Sequence, residues 1–451
     1  MAVPWTLPRG PHSFTREQVQ ASQRQRILRA MIEAVAERGY VSTPVAEVIA
    51  RAGVSRKAFY EHFPNKETCA LEASDAITKT ALELVSNRYR ATNGDEAGAE
   101  AAIQELLVRA MASPRSVRFV LLELIAVGAV GIARREYLIT AFERLVQEFI
   151  ENDPSISTPH PILRATVGGL NSIIYSRAAK RGAELTPELV TELVSWIALY
   201  RRLPPSLLSP PEHRDTAAVA GGRAPGTLSP TPLLARKRGG DGRSAKRSHS
   251  LIVHSQRERI LDAVANLSAA RGYALVTVNN IGEQACVSLD TFYGHFAGKE
   301  DAFLVAYEVG HAKGLAIVER ACSSAPDWPS RIRAGIAALF DFLASEPTFA
   351  YLALVDALLA TTRTAARARK GLLTYARLLI GERQDDFASA GSDLMTEAIT
   401  GGLFEICLTY TLQKRVSELP ALIAPMTYFV LAPAIGVEDA ARVALDTPRV
   451  G

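Results

Sequence analysis

A nine-residue phrase occurs twice in the chain, as FYEHFPNKE at 59–67 and as FYGHFAGKE at 292–300. Each phrase contains a phenol, an imidazole and an ammonium group, which can donate hydrogen bonds, bind a metal or move a proton. A metal site needs several ligands at suitable spacing, and no partner histidine, cysteine or carboxylate supports His62. The sequence also lacks a nucleophile–base grouping and a phosphate-cradling glycine loop. We therefore predict no enzymatic activity: no catalytic residue, no metal site and no cofactor.

The composition indicates a large intracellular protein. Its 451 residues are 48% hydrophobic, which suggests two or more domains with sizeable cores. The net charge of +4 is a weak sign of an anionic partner, and four cysteines without a CxxC pair suggest a reducing compartment. The most apolar run, 120–133, is interrupted by Glu123 and is too short to span a bilayer. With no secretion signal in view, we expect a cytoplasmic, nucleoid-associated protein and no membrane partner.

The two phrases belong to a longer repeat with an offset of 233 residues. Residues 26–67 and 259–300 are identical at 18 of 42 positions without a gap, too many for two unrelated helical stretches. The offset continues further on, where Gly168-Gly169-Leu170 matches Gly401-Gly402-Leu403. The sequence therefore predicts two tandem copies of one domain, copy 1 ending near 205 and copy 2 beginning near 254.

The phrase is preceded in each copy by the pattern of a helix-turn-helix. Apolar residues recur at helical spacing before Gly39, and a short helix is predicted over Pro44–Arg51. A tight turn containing Gly53 follows, and Ser55 can cap a second short helix that reads RKAFYEHF. The outer face of such a second helix fits the major groove of DNA. Neither copy has a convincing alternating strand pattern, so the predicted fold class is all-α.

These residues resemble the DNA-binding domain of the TetR family of bacterial transcription regulators. The resemblance rests on a combination present in both copies: Gly-Tyr, then Val-Ser, Phe-Tyr, His-Phe and Lys-Glu at fixed spacing. It implies a three-helix DNA-binding unit at the start of each copy, followed by a helical core for ligand sensing and dimerisation. The predicted domains are two DNA-binding units at 20–70 and 254–303, two cores at 71–205 and 304–440, and a flexible linker at 206–250.

The resemblance assigns DNA contacts residue by residue. The start of the second helix should face bases and flanking phosphates, and Arg56 or Lys57 can donate two hydrogen bonds to guanine. Tyr60 and Lys66 resemble phosphate-binding residues, which fix register without reading sequence. The predicted DNA-binding residues are Thr43, Pro44, Ser55, Arg56, Lys57, Ala58, Tyr60, His62 and Lys66 in copy 1, and Thr277, Ser288, Leu289, Asp290, Thr291, Tyr293, His295 and Lys299 in copy 2.

The copies differ most at the positions that would read bases. Copy 1 has Arg56-Lys57 where copy 2 has Leu289-Asp290, and the net charge is +3 over 51–66 but 0 over 284–299. An aspartate is repelled by phosphate, although it can accept a hydrogen bond from cytosine. In the turn, Gly53 is replaced by Cys286, which adopts left-handed geometry at greater cost. We expect the two copies to read different DNA sequences.

The predicted linker is rich in proline and glycine and ends in a basic run at 236–249. This run is interpreted either as a flexible arm that supplies positive charge next to copy 2 or as a solubilising linker. A tether of about 50 flexible residues gives the copies a high effective concentration for each other, which favours intramolecular pairing. We expect pairing through 161–181 and 187–202 against 394–414 and 420–434, with the glycine pairs allowing close helix approach or producing kinks.

The sensor cores are predicted from apolar helices between about 70 and 160 and between 303 and 390. The resemblance implies a mostly apolar cavity for a small ligand, whose identity the sequence leaves open. Glu123 and Asp356 share one repeat position within apolar helices, where each either orients a ligand or binds an arginine or a backbone group. The predicted pocket residues are Arg118, Glu123, Tyr137, Tyr351 and Asp356.

The sequence thus predicts a ligand-responsive DNA-binding regulator, a repressor, that acts as a covalent pseudo-dimer on an asymmetric operator. Two alternatives stay open. In the first, copy 1 alone binds DNA and the chain homodimerises through copy 2 or through both cores. In the second, the same fold serves as an interaction protein that does not bind DNA.

Overall fold

The computed structural model describes residues 15–91, 96–150, 160–180, 186–201, 245–380 and 392–445. Most of the predicted linker, 206–244, lies outside the described residues, as does the greater part of its basic run. Every regular element in the described ranges is helical. The predicted all-α fold class is therefore confirmed.

Copy 1 consists of a three-helix head followed by longer core helices, with a 3-10 turn between α6 and α7. Its helices are α1 (Arg16–Arg38), α2 (Val45–Ala52), α3 (Arg56–His62), α4 (Lys66–Arg90), α5 (Glu96–Ala112), α6 (Pro114–Leu121), α7 (Ala129–Ile150), α8 (His160–Ala179) and α9 (Pro187–Ala198). The 3-10 turn covers Glu123–Val127.

Copy 2 repeats this order at the same offset, and its first helix begins inside the range predicted as linker. Its helices are α10 (Ala245–Arg271), α11 (Val278–Ala285), α12 (Leu289–His295), α13 (Lys299–Ser323), α14 (Trp328–Ser345), α15 (Pro347–Tyr351), α16 (Thr362–Ile380), α17 (Ser392–Leu412), α18 (Ile423–Ile435) and α19 (Val437–Leu445). After α15, a π-helical turn, Leu352–Asp356, and a short helical turn, Ala357–Leu359, lead to α16. A 3-10 segment, Val416–Leu422, precedes α18.

The helix starts follow from capping side chains. Thr15 and Gln18 form a reciprocal capping box at the start of α1. The side chains of Ser55 and Asn65 accept backbone N–H groups at the starts of α3 and α4. Because these groups have no partner within their own helices, such caps set where each helix begins. Gly39 then ends α1 with a positive φ of 82°.

The compact units of the chain do not coincide with the two sequence copies. One unit contains residues up to 155 and 170–201, and the other contains 156–169 together with residues from 202 onward. The first part of α8, although it belongs to copy 1 by sequence, is therefore part of the second unit.

One stretch among the described residues, Val416–Ile435, is long and apolar enough to cross a membrane by length and composition. Half of this stretch is buried inside the fold, and a core helix of a globular protein meets the same criterion. A second candidate arises only if Trp328–Ser345 and Pro347–Leu359, which meet at 103°, count as one span.

Candidate nucleic-acid interface

The two short helices of each head are joined by the same left-handed turn. In copy 1 the turn residue is Gly53, with φ 61° and ψ 41°. In copy 2 it is Cys286, with φ 53° and ψ 51°. An L side chain in this conformation costs roughly 1–2 kcal/mol. Copy 2 therefore keeps the turn geometry although it has lost the glycine that favours it.

The aromatic residues of the repeated phrase anchor the second helix. Phe59 and Phe63 are fully buried, with ring centroids 5.9 Å apart. Phe292 and Phe296 repeat this arrangement at 5.8 Å. Each pair fixes α3 or α12, hereafter the recognition helices, against its head by burying apolar rings. The opposite face of each recognition helix is left exposed.

The lysine of the phrase holds the turn that follows the first helix. Lys66 Nζ donates to the carbonyl oxygens of Tyr40 at 2.9 Å and Thr43 at 3.1 Å, and it lies 4.2 Å from the Tyr40 ring centroid. Lys299 does the same with Tyr273 and Val276, at 3.0 and 2.8 Å. Burial lowers the pKa of both lysines. Each ammonium is thus held by two carbonyl groups inside its head, and the third of its N–H donors is the one that a phosphate contact would use.

Copy 1 presents a basic and aromatic surface at the start of its recognition helix. Ser55, Arg56, Lys57 and Tyr60 are exposed, Tyr60 to 44%. The Arg56 guanidinium lies 5.6 Å from the Tyr60 ring centroid, and Lys57 Nζ is 3.9 Å from Glu61. These side chains can meet base edges and phosphates together.

Copy 2 presents an apolar and acidic surface at the same place. Leu289, Asp290 and Tyr293 are exposed, Tyr293 to 57%. Ser288 caps α12 by accepting from Thr291 N at 3.1 Å, and the two hydroxyl oxygens are 2.9 Å apart. Asp290 lies in the first helical turn, where the helix dipole favours a negative charge.

Two predicted contact residues of copy 1, Thr43 and Ala58, are buried in the head. Thr43 is fully buried and its hydroxyl donates to the Gly39 carbonyl at 2.8 Å, so it is directed away from solvent. Ala58 is buried against the head rather than on the exposed face. Pro44 is exposed and precedes α2 without a side-chain cap, whereas exposed Thr277 of copy 2 caps α11 by accepting from Asn280 N at 3.2 Å.

The two histidines are half-buried at the C-terminal ends of the recognition helices. Burial, and to a smaller extent the neighbouring Arg24, lowers the pKa of His62. The ring of His62 packs 6.2 Å from that of Phe63, and His295 is placed identically beside Phe296. Among the described residues, no group of three or more metal-binding side chains is found.

The exposed positive charge of copy 1 is smaller than its sequence indicates. Arg51 donates to Glu37 at 2.8 Å and to Glu47 at 3.3 Å, so its charge is paired within the head. Lys66 is engaged internally. Within 51–66, Arg56 and Lys57 are therefore the most exposed basic residues, and Lys57 is only loosely paired, with its Nζ 3.9 Å from Glu61.

The predicted pocket acids connect each head to its core. Glu123 Oε2 accepts from the Tyr40 backbone N–H at 3.0 Å, and its Oε1 is bound by Arg118 at 3.0 and 3.1 Å. Asp356 Oδ1 accepts from the Tyr273 backbone N–H at 3.3 Å. The acid shared by both copies was expected either to orient a ligand or to bind an arginine or a backbone group. These contacts favour the second role. Arg118 is likewise engaged with Glu123 rather than directed at a ligand.

The two predicted pocket tyrosines have different surroundings. Tyr137 is 60% exposed on α7, so it cannot line an interior cavity. Tyr351 occupies the repeat position of Arg118, and burial raises its pKa to about 12. Copy 2 therefore has a neutral phenol where copy 1 has a guanidinium.

The core of copy 2 is filled by aromatic rings that lie directly on glycines. A Cβ added to Gly314 would lie 2.4 Å from the Tyr375 hydroxyl and 2.5 Å from Phe342, and one added to Gly310 would lie 2.2 Å from Phe349. No such feature was predicted from the sequence, although the glycines on α13 were a signal. At Gly310 and Gly314, the surface of α13 is therefore covered by aromatic side chains of its neighbours.

A buried histidine lies within this cluster. The His311 ring stacks on Tyr307 at 5.6 Å and meets Tyr375 edge-on at 5.2 Å. Burial is the main cause that lowers the pKa of His311, and it raises that of Tyr307 to about 12. Copy 1 has Ser74 and Thr78 at the positions of Tyr307 and His311, so its corresponding helix carries smaller buried side chains.

One residue shared by both copies was missed by sequence reasoning. Arg26 Nη1 donates to the carbonyl oxygens of Ala52 at 2.9 Å and Gly53 at 3.2 Å, which stabilises the end of α2 and the turn. Its identity with Arg259 in the repeat was the available signal. Such a residue positions the recognition helix without reaching a partner.

A short helix, a left-handed turn and a capped second helix with an exposed polar face define the helix-turn-helix class of folds. Residues 27–73 and 260–306 both match the profile of the bacterial regulatory proteins of the tetR family. The chain thus carries two TetR-like domains in tandem.

Part of the chain is similar to the uncharacterized HTH-type transcriptional regulator YerO of Bacillus subtilis (strain 168). The two are 29% identical over 65 residues, which is 14% of this chain and 22% of that protein. The match thus spans about a fifth of the relative's length.

Two solved structures are similar to part of the chain. The fatty acid degradation regulator FadR from Bacillus halodurans is 21% identical, with a TM-score of 0.35, over 39% of this chain and 97% of its own. The transcriptional regulator FadR from Bacillus subtilis, solved in complex with stearoyl-CoA, is 20% identical, with a TM-score of 0.35, over 40% of this chain and 98% of its own.

Proposed function

We propose that the chain is a DNA-binding transcriptional regulator, a ligand-responsive repressor whose two copies act as a pseudo-dimer on an asymmetric operator. One observation carries the proposal: the two heads share their buried scaffold and differ on their exposed recognition surfaces. Arg56 and Lys57 of copy 1 are exposed where copy 2 exposes Leu289 and Asp290. Such a pair suits two unlike half-sites better than a palindrome.

The chemistry of each surface indicates the kind of half-site. Arg56 or Lys57 can donate to guanine O6 and N7, and Tyr60 can reach a phosphate. Asp290 can accept from a cytosine amino group, and Leu289 can contact a thymine methyl. Phosphate binding by copy 2 then depends on Tyr293 and Thr277, because Lys299 is engaged within the head.

Pairing of the copies within one chain is supported by the first part of α8. Residues 156–169 are part of the second compact unit although they belong to copy 1 by sequence. The glycine-containing part of this helix approaches α17 closely, as a pairing helix would. One chain can then present two heads at half-sites about 34–36 Å apart or a multiple of that distance.

The ligand response is proposed to reside in copy 1. The core of copy 2 is filled by aromatic rings on glycines, whereas copy 1 has small buried side chains at Ser74 and Thr78. We expect a small, apolar ligand to bind one arrangement of the core more tightly than the other. This difference in affinity is what shifts the population of head positions. The hydrogen bond from Tyr40 N–H to Glu123 offers a direct link from core to head. We place this activity in the cytoplasm, without a membrane partner.

Selection of bound DNA from a random pool tests the proposal, followed by footprinting of matched variants. Arg56→Ala with Lys57→Ala should remove protection over one half-site, and Leu289→Ala with Asp290→Ala should change the sequence preference over the other. A recovered palindrome, or a footprint that ignores the copy 2 substitutions, contradicts the asymmetric operator. Binding should weaken steeply with salt, and an absence of binding at low salt contradicts the DNA-binding role.

A second candidate has DNA binding in copy 1 alone, with the chain homodimerising through copy 2 or both cores. The exposed carboxylate of Asp290, which is repelled by phosphate, favours this candidate. It predicts a palindromic motif bound by two chains, and the same selection experiment distinguishes it from the first. If the chain binds no DNA in this selection, the remaining alternative is an interaction protein with the same fold.

A further inference from the structure

Within the second compact unit, the first part of α8 lies very close to α17. A Cβ added to Gly168 would lie 2.3 Å from Glu405 Cβ and 3.0 Å from the Gly401 carbonyl oxygen. One added to Gly402 would lie 2.6 Å from the Ala165 carbonyl oxygen. Any larger side chain at these positions would separate the helices, so the close approach depends on the glycines.

A buried pair of opposite charges lies at this helix crossing. Arg164 is 1% exposed and Glu405 is 3% exposed. The Thr409 hydroxyl links them, since it accepts from Arg164 Nη1 at 3.2 Å and donates to Glu405 Oε1 at 3.1 Å. Charges buried to this extent are tolerated only when opposite charges and hydrogen bonds compensate them.

The repeat offset shows that this arrangement cannot be made by two identical copies. The residue at the Arg164 position of copy 2 is Glu397, and those at the Glu405 and Thr409 positions of copy 1 are Ser172 and Ser176. If two copy 1 helices crossed in the same way, Arg164 would face a serine. If two copy 2 helices did so, Glu397 would face Glu405, which places like charges together.

We propose that Arg164 and Glu405 form a charge code: their opposite charges make the pairing helix of copy 1 bind the pairing helix of copy 2. Two identical pairing helices lack this attraction and therefore do not pair. The code rests on the pairing of copies proposed above and explains how a chain with two similar pairing surfaces selects one partner. Specificity of this kind arises from a repulsive alternative as well as an attractive contact. The partner of each surface is thus the other copy, and in the native chain that copy is tethered to it.

Charge reversal in the full chain gives a direct test. Arg164→Glu and Glu405→Arg each place like charges at the crossing within one chain. In a mixture of the two single variants, each copy 1 helix finds an opposite charge on the other chain. We expect native mass spectrometry to give the wild type as one chain, 48.7 kDa, and the mixture as a one-to-one particle of two chains. The double variant, with the charges exchanged, should return to a single chain.

Controls separate the charge code from a general loss of folding. Glu405→Gln keeps the size of the side chain without creating repulsion, so it should stay a single chain. A mixture that forms no more mixed particles than either variant forms alone, or a double variant no better folded than the single ones, overturns the proposal. A wild-type chain found mainly as a two-chain particle also overturns it, since the tethered copy would then not be the chosen partner.

DNA binding of the same samples is measured separately, on the duplex recovered by selection. A chain that binds this duplex with strong salt dependence but fails the mixing test contradicts the charge code alone. A chain that passes the mixing test and binds no DNA contradicts the DNA-binding function and leaves the charge code standing.

Discussion

The backbone N–H of Tyr40 donates to Glu123 Oε2 across 83 positions of sequence, at 3.0 Å. Tyr40 lies just after Gly39, at the turn between the first two head helices, and Glu123 begins the 3-10 turn after α6 in the core. Copy 2 repeats the contact between Tyr273 N and Asp356 Oδ1 at 3.3 Å. The same turn is held from inside the head by Lys66 or Lys299. Each head is thus hydrogen-bonded to its core at the turn that follows its first helix.

The contact between Asp356 and Tyr273 in copy 2 should depend on pH. Burial raises the pKa of Asp356 to about 7, and the Tyr273 N–H offsets only part of this effect. Because the pKa in the folded state exceeds that in the unfolded state, the folded state binds the proton more tightly. As the pH rises from about 4 to about 7, the unfolding free energy of the wild type should therefore fall relative to that of Asp356→Asn. The expected slope is about 1.4 kcal/mol per pH unit. Above about pH 7 the difference becomes constant. Urea unfolding of both proteins across this range measures it.

The matched substitution in copy 1, Glu123→Gln, should lower stability. Glu123→Gln leaves Arg118 without its carboxylate partner, since both guanidinium contacts are made to Glu123 Oε1. We expect a loss of about 1–3 kcal/mol of unfolding free energy at neutral pH. A stabilising effect of Glu123→Gln, or a flat pH difference for Asp356→Asn, would show that these acids do not fasten head to core as described.

The repeated phrase was informative about fold and less so about roles. Gly-Tyr, Phe-Tyr and Lys-Glu at fixed spacing were sufficient to predict the helix-turn-helix, because burial of Phe59 and Phe63 follows directly from helical periodicity. The role of Lys66 could not be predicted in this way. Its two carbonyl partners, on Tyr40 and Thr43, lie 26 and 23 positions away, and only the folded chain brings them within hydrogen-bonding distance.

The roles of the predicted pocket acids, Glu123 and Asp356, were also not predictable from the sequence. An acid within an apolar helix is compatible with ligand binding or with an internal partner, and sequence alone does not distinguish them. Glu123 binds Arg118, five positions before it in sequence, and also the distant backbone N–H of Tyr40, which no residue pattern marks. The buried crossing of Arg164 and Glu405 was equally hidden, although the repeat located the glycines beside it.

Lys66→Met should lower the stability of the protein without changing how strongly its affinity for DNA depends on salt. The lysine donates to two carbonyl groups inside the head, so its loss should cost about 1–3 kcal/mol of unfolding free energy. A phosphate contact would instead appear as a decrease of about 1 in the slope of log affinity against log salt. Titration of operator DNA at several salt concentrations, at a temperature where the variant is folded, measures the slope. Arg56→Ala is the matched comparison, and we expect it to relax sequence specificity while leaving stability unchanged.

Cys286→Gly should stabilise copy 2 and Gly53→Ala should destabilise copy 1. Both residues have left-handed backbone geometry, with φ 53° and φ 61°. Cys286 is exposed, and a Cβ on Gly53 would meet only Arg26 Nη1 at 3.5 Å, so conformational strain dominates both changes. We expect about 1 kcal/mol in each direction. Chemical unfolding, followed with separate probes on the two copies, measures the change in unfolding free energy that each substitution causes. Changes of the same sign would contradict the shared turn geometry.

Gly314→Ala should destabilise copy 2 because its core has no room for a methyl group. The added Cβ would lie 2.4 Å from the Tyr375 hydroxyl and 2.5 Å from Phe342, a ring that is itself buried. Forcing such rings from their positions costs about 1–3 kcal/mol. Gly294→Ala is the control, since no atom lies within 4 Å of its Cβ on the exposed side of α12. That change should instead stabilise the helix by about 0.5–1 kcal/mol. If Gly314→Ala proved neutral in thermal unfolding, the core of copy 2 would have free space, and the assignment of ligand sensing to copy 1 would lose its main support.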